Sequence, residues 1–145
     1  MDSFSNDFNM YISSVDNIDS NLSSNRLRIS VPTYVTLQAP VGRKKWHVAL
    51  TELSLPALLE PVNYNGQIAL DCSIADLSII GGFSRPILRR FKWNSSTVFD
   101  NIQYIRVTQS FPSHINFVFS GDSFNTDIQF APDELIYFTL NFKLK

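Results

Sequence analysis

Arg43-Lys44-Lys45-Trp46-His47-Val48-Ala49-Leu50-Thr51-Glu52-Leu53-Ser54-Leu55-Pro56 joins a basic cluster to the most strongly patterned apolar run of the chain. As a strand it sends Trp46, Val48 and Leu50 to one face and His47, Ala49 and Thr51 to the other, because successive side chains alternate. Glu52 breaks the rhythm. Leu53 and Leu55 then carry the bulk at the opposite parity, so a bulge or bend near Thr51 and Glu52 is required to keep both sets inside. A short amphipathic helix is the competing reading, since Trp46, Ala49, Leu50 and Leu53 also lie at helical spacing. Pro40 and Gly42 before the run, Pro56 at its end and strand-like neighbours select the strand.

Those neighbours are extended on both sides. Toward the N-terminus, Arg26 to Val31 alternates with Leu27, Ile29 and Val31 on one face, Pro32 ends the segment or moves it to an edge, and Tyr34 to Leu37 resumes before the turn signal Pro40-Val41-Gly42. Phe8, Met10 and Ile12 mark a first strand, between a polar arm at Met1 to Asp7 and a Ser-, Asn- and Asp-rich connection from Ser13 to Asn25. Toward the C-terminus, Asn65-Gly66 is a tight-turn pair, followed by short apolar runs at Gln67 to Cys72 and Leu77 to Ile80. Ile87 to Trp93 starts at an edge after Pro86, and Ile102 to Val107, Ile115 to Phe119 and Ile128 to Phe130 are further strands. Leu135 to Leu144 has the cleanest period of two, with Ile136, Phe138, Leu140, Phe142 and Leu144 alternating against Tyr137, Thr139, Asn141 and Lys143. It is expected in the core sheet.

Composition bounds the function. At 145 residues the chain has room for one domain with a real core. A net charge of -1 argues against a dedicated nucleic-acid binder, which would carry a basic excess. Charged residues are 17% of the chain, below the usual share of about a quarter, while there are 12 Phe, 5 Tyr and 2 Trp. That balance fits a β protein with extensive buried or partner-facing surface. Cys72 is the single cysteine, which excludes an intrachain disulfide and multi-cysteine zinc, and it reads as a core residue rather than a nucleophile. His47 and His114 lack metal-ligand spacing, Asp16 and Asp19 lack the pattern of a calcium loop, no nucleophile elbow occurs, and Gly81-Gly82 leads to Phe83 and not to a phosphate-loop Lys. The expectation is therefore no catalytic residue, no metal and no cofactor. MDSFSNDFNM has no apolar core of a secretory signal, and no run approaches the ~20 apolar residues of a membrane helix, so neither secretion nor a membrane span is expected. The sequons at Asn21 and Asn94 accordingly carry no glycan expectation.

About eight or nine short strands with turns between them predict an all-β fold, with residues 1–7 a flexible arm and residues 8–145 a single β-sandwich. A jelly roll of two four-stranded sheets matches length and strand number, and an immunoglobulin-like sandwich is the alternative with about as many strands.

Trp46-His47-Val48-Ala49-Leu50-Thr51-Glu52-Leu53, with Pro56 following, resembles a W-E-V-A-L-T-E-I-x-Y-P strand in structural proteins of Polinton-like and adintovirus-like DNA viruses and elements, minor capsid or related virion proteins. Phe8 to Ser14, Val31-Pro32 with Leu37, and the closing Phe138-Thr139-Leu140-Asn141-Phe142-Lys143 look like further pieces of the same pattern. The chain departs from it at His47, where Glu is usual, at Ser54-Leu55, and in the Ser13 to Asn25 connection. The resemblance implies a non-enzymatic capsid or virion component that assembles through its sandwich surfaces as a homo-oligomer and with other capsid proteins. Its expected place is the virion, assembled in host cytoplasm or nucleus.

Two clusters of basic residues would supply interface or anion contacts. Arg43, Lys44 and Lys45 form one, and Arg85, Arg89, Arg90 and Lys92 beside Trp93 the other; if their strands meet they make a single positive patch for packaged nucleic acid or an acidic neighbouring subunit. A recognition module for carbohydrate or a host receptor is the alternative function, with Trp93, Tyr64 or Tyr104 available to stack on a sugar ring.

Overall fold

The computed structural model describes residues 7–19, 23–31, 44–60, 66–80, 82–108, 113–121 and 128–145. In order, the strands are β1 (Asp7–Ser13), β2 (Arg26–Ser30), β3 (Trp46–Ser54), β4 (Leu58–Glu60), β5 (Gln67–Cys72), β6 (Ser78–Ile80), β7 (Phe83–Arg85), β8 (Ile87–Lys92), β9 (Ser96–Val98), β10 (Ile105–Arg106), β11 (His114–Gly121), β12 (Gln129–Phe130) and β13 (Tyr137–Leu144). A 3-10 turn at Ser14–Asp16 is the one helical element among the described residues. No helix is long and apolar enough to cross a membrane.

Two antiparallel sheets pack face to face. The five-stranded sheet runs β1-β13-β3-β10, with β9 sharing the far edge of β3, and the four-stranded sheet runs β2-β11-β5-β8. Followed along the chain, β1, β2, β3 and β5 change sheets at every step; β8 stays beside β5, and β9/β10, β11 and β13 alternate again. The protein is an all-β sandwich. Its sheets hold five and four strands, where four and four are expected from the sequence, because β9 and β10 divide one edge of β3 between them.

The required break in β3 is a bulge at Thr51. Along β13, Thr139 faces Glu52 and Leu140 faces Leu50, so Thr51 is the extra residue. The bulge lets Trp46, Val48, Leu50 and Leu53 all reach the core in spite of their change of parity. Its hydroxyl donates to the Thr139 carbonyl (3.2 Å), and Thr139 in turn donates to Glu52 Oε1 (2.8 Å). A second bulge, with no comparable signature in the sequence, lies on β8: Leu70 faces Arg89 and Asp71 faces Ile87, and both Ile87 and Leu88 are buried.

Aromatic rings join the two sheets. Phe138 of β13 meets Phe117 edge-on at 5.0 Å and Phe119 at 6.0 Å, both from β11, while Phe8 stacks on Phe142 at 5.0 Å and abuts Trp46. Such edge-to-face pairs add about 0.5–1.5 kcal/mol each beyond area burial. Asn25 is buried and ties the start of β2 to β11, its Nδ2 donating to the Phe119 carbonyl at 2.8 Å.

Several details differ from the reading of the sequence. Asp7 is paired opposite Lys143, so the first strand begins one residue earlier than expected. The apolar run at Leu77 to Ile80 forms only a small hairpin, β6-β7, which leaves Leu77, Ile79 and Phe83 exposed instead of adding to the core. Ile102 and Tyr104 precede the short β10 and do not extend it. The rest of the arm (1–6), Tyr34 to Leu37, the Pro40-Val41-Gly42 turn, Arg43, Tyr64 and Asn65 lie outside the described residues.

Candidate functional site

The outward face of the five-stranded sheet concentrates the polar chemistry of the molecule. At one end a single row crosses the strands: Asp7 faces Lys143, Lys143 faces His47, and His47 faces Arg106. Residues directly opposite in an antiparallel pair share a face, and a strand repeats that face every second residue. Lys45 and Lys145 therefore continue the row's face; they exchange both backbone hydrogen bonds, at 2.9 and 3.0 Å. Lys44 is exposed next to them.

The group is held in place by Tyr104. Its hydroxyl donates to Asn141 Oδ1 (2.7 Å), while the Lys145 ammonium lies 4.4 Å and that of Lys143 5.9 Å from the ring centroid. Asn141 Nδ2 in turn donates to Asp7 Oδ1 (2.7 Å) and Asn9 Oδ1 (3.0 Å). The nearby carboxylate is thus already engaged. Lys44, Lys45, Arg106, Lys143 and Lys145 make no ion pair among the described residues.

The second expected cluster goes elsewhere. Arg85 binds Asp71 bidentately at 3.1 and 2.9 Å and also donates to Ser120 Oγ, on the far side of the four-stranded sheet. Arg89 shares its side of β8 with Phe91 and points toward the core, its guanidinium 3.9 Å from the Phe99 centroid and its Nη1 donating to the Asn101 carbonyl. Its Nε is buried without a partner among the described residues, and burial lowers its pKa. Arg90 and Lys92 are exposed on the same strand. Trp93 donates from Nε1 to the Pro56 carbonyl (3.0 Å), beyond the end of β3 opposite to Lys45. Arg89 and Arg90 line a groove with Gln103 and Ile105, the residue before Arg106, so the second cluster is spread along β8 rather than gathered at one point. Lys44 and Lys45 join Arg106, Lys143 and Lys145, a grouping that depends on strand pairing.

The other end of this face holds a groove of about 250 Å³. Tyr11 and Tyr137 flank it, both largely exposed, with Glu52, Ser54, Ser96, Val98 and Thr139 along it. Trp93 and Tyr104, expected as stacking residues, are tied up by their own hydrogen bonds, whereas the hydroxyls of Tyr11 and Tyr137 make none among the described residues. Their outward position follows from the alternation of Phe8 to Ile12 and of Leu135 to Leu144. Their proximity does not, because it needs the register that sets Tyr11 opposite Thr139 and Ser13 opposite Tyr137.

No known family, curated protein or solved structure matches the chain. The chemistry of its remaining reactive groups is therefore read from their surroundings alone. Cys72 is fully buried, and burial pushes its thiol up to about 12, which removes the thiolate needed for nucleophilic attack or metal binding near neutral pH. His47 donates from Nδ1 to the Lys45 carbonyl, and His114, on the opposite sheet, pairs with the Ser113 hydroxyl. No group of three metal-ligating side chains occurs among the described residues.

Proposed function

We propose that the chain is a non-enzymatic structural protein of a virus or virus-like element, a capsid or virion component built as a jelly roll that assembles with copies of itself and with other capsid proteins. The strand order carries this reading. Neighbours β1-β13-β3-β10 in one sheet and β2-β11-β5-β8 in the other, with the chain crossing between sheets at nearly every step, support a jelly roll, an architecture used for viral capsid and lectin domains. An immunoglobulin-like sandwich would instead place its first two strands side by side in one sheet. The resemblance of the Trp46 and Phe138 strands to virion proteins of Polinton-like elements adds to it.

Assembly has a surface to use. Leu77 and Ile79 are 64% and 81% exposed along one side of the β6-β7 hairpin and Phe83 is 51% exposed on the other, and exposed apolar residues gathered on one small element mark an interaction site. A two-stranded hairpin of three residues a side is marginal by itself, so a partner packed on it would stabilise both. Native mass spectrometry with light scattering tests the proposal: a defined oligomer is expected, dispersed by Ile79→Ser with Phe83→Ser while the far-ultraviolet dichroism stays unchanged. A parent that remains monomeric at high concentration would overturn it.

The groove favours a second reading, carbohydrate recognition. Paired tyrosine faces can stack on a pyranose while Glu52 accepts its hydroxyls. A glycan array with hits lost on Tyr11→Ala and Tyr137→Ala would replace the first reading with this one.

A further inference from the structure

We propose that the Lys44, Lys45, Arg106, Lys143, Lys145 corner of the five-stranded sheet binds the phosphate backbone of nucleic acid without regard to sequence. The inference is independent of whether the chain builds a particle.

Charge segregation is the first ground. The chain carries a net charge of -1, yet this corner gathers cations from β10, β13 and the residues flanking β3 and β13, and none of them has an ion-pair partner among the described residues. Lys45 and Lys145 stand directly opposite each other on one face, an arrangement of like charges that opposes strand pairing. An anion lying across the face removes that repulsion. A chain of phosphates can meet all of the ammonium groups at once.

Pre-positioning is the second. Both Lys143 and Lys145 lie over the Tyr104 ring, and Tyr104 is fixed through Asn141 to β1 and β13, so part of the side-chain ordering is complete before a ligand arrives. The residue types select the partner class. Lys offers a rotatable point charge suited to phosphates met in no fixed register, whereas specific carboxylate pairing draws on the planar fork of Arg, and here only Arg106 supplies one.

The test is fluorescence anisotropy of the full chain with labelled oligothymidine over a salt series. The expected dissociation constant is on the order of 10⁻⁴ to 10⁻⁶ M at physiological salt, with log K falling against log salt at a slope of roughly -3, from four to five phosphates at ~0.7 each. Lys143→Ser with Lys145→Ser should shrink that slope by about 1.4, two phosphates' worth, while leaving the dichroism spectrum and any oligomer intact. Lys92→Ser, at the end of β8 next to Trp93 in the other sheet, should leave both affinity and slope unchanged. Absence of binding at low salt, or a slope indifferent to the double change, overturns the proposal. Poly-glutamate competing as well as oligothymidine at equal charge also overturns it, in favour of an acidic protein partner. Because oligomer formation is read separately, failure here leaves the structural-protein reading standing or falling on its own measurement.

Discussion

Trp46 is 4% exposed at the start of β3, its ring against Phe8. Trp46→Ala is expected to cost ~3–5 kcal/mol, read as a lowered urea midpoint with an unchanged slope. Asn25→Ala should cost ~1–3 kcal/mol in the same measurement, since it strips the Phe119 carbonyl of a buried donor. Cys72 predicts a pH effect whose sign follows from its burial. The folded state keeps the thiol proton up to about 12, whereas the unfolded chain releases it near 9.0, so the stability tied to this proton is complete below the unfolded value. It is lost as pH rises between the two, at about 1.4 kcal/mol per pH unit. In urea melts above about pH 9, Cys72→Ala should therefore lose stability less steeply than the parent. Parity made the inward residues of β3 and β13 legible. Arg89 was illegible for the converse reason: Pro86 marks the start of an edge strand, but the Phe99 ring and the Asn101 carbonyl that receive the guanidinium lie outside the strand and are met only in the fold.

At the scale of elements, the bulge and the closing strand make the sharpest tests. Deleting Thr51 removes the extra residue and sets Glu52 directly after Leu50, so a regular ladder keeps Trp46, Val48, Leu50 and Leu53 on one face. The deletion is expected to keep a cooperative thermal melt and to cost about 0.5–1.5 kcal/mol for the lost hydrogen bond to the Thr139 carbonyl. Removing residues 135–145 takes away Ile136, Phe138, Leu140 and Phe142, all buried, and strips β1 of its only partner among the described strands, so that chain should not fold. A truncated chain that melts cooperatively would show the strand to be dispensable. The bulge was readable because the apolar pattern itself changes phase at Glu52. The pairing of β1 with β13 was not, because nothing local in either strand names a partner from the other end of the chain. The β6-β7 hairpin misleads for a related reason: an apolar run predicts burial, and whether its own chain or another supplies the cover is not written in the run.

For the whole molecule, the expected far-ultraviolet dichroism is that of β-structure without helical minima, and the two sheets should melt together because Phe138 packs against both Phe117 and Phe119 across the core. The sandwich class followed from strand number and turn spacing, while the order of strands, which carries the proposed function, came only from long-range pairing. The basic corner shows the same division: Lys44 and Lys45 stand together in the sequence, but their companions Arg106, Lys143 and Lys145 arrive through β10 and β13. The position of β13 between β1 and β3 has a further bearing on how the protein is made. Asn141 reaches back to Asp7 across 134 residues, so a nascent chain emerging at ~5–20 residues per second holds β1 and one side of β3 without their neighbour for on the order of ten seconds. During translation those apolar edges stay uncovered, open to association with other chains, until Leu144 has cleared the ribosome.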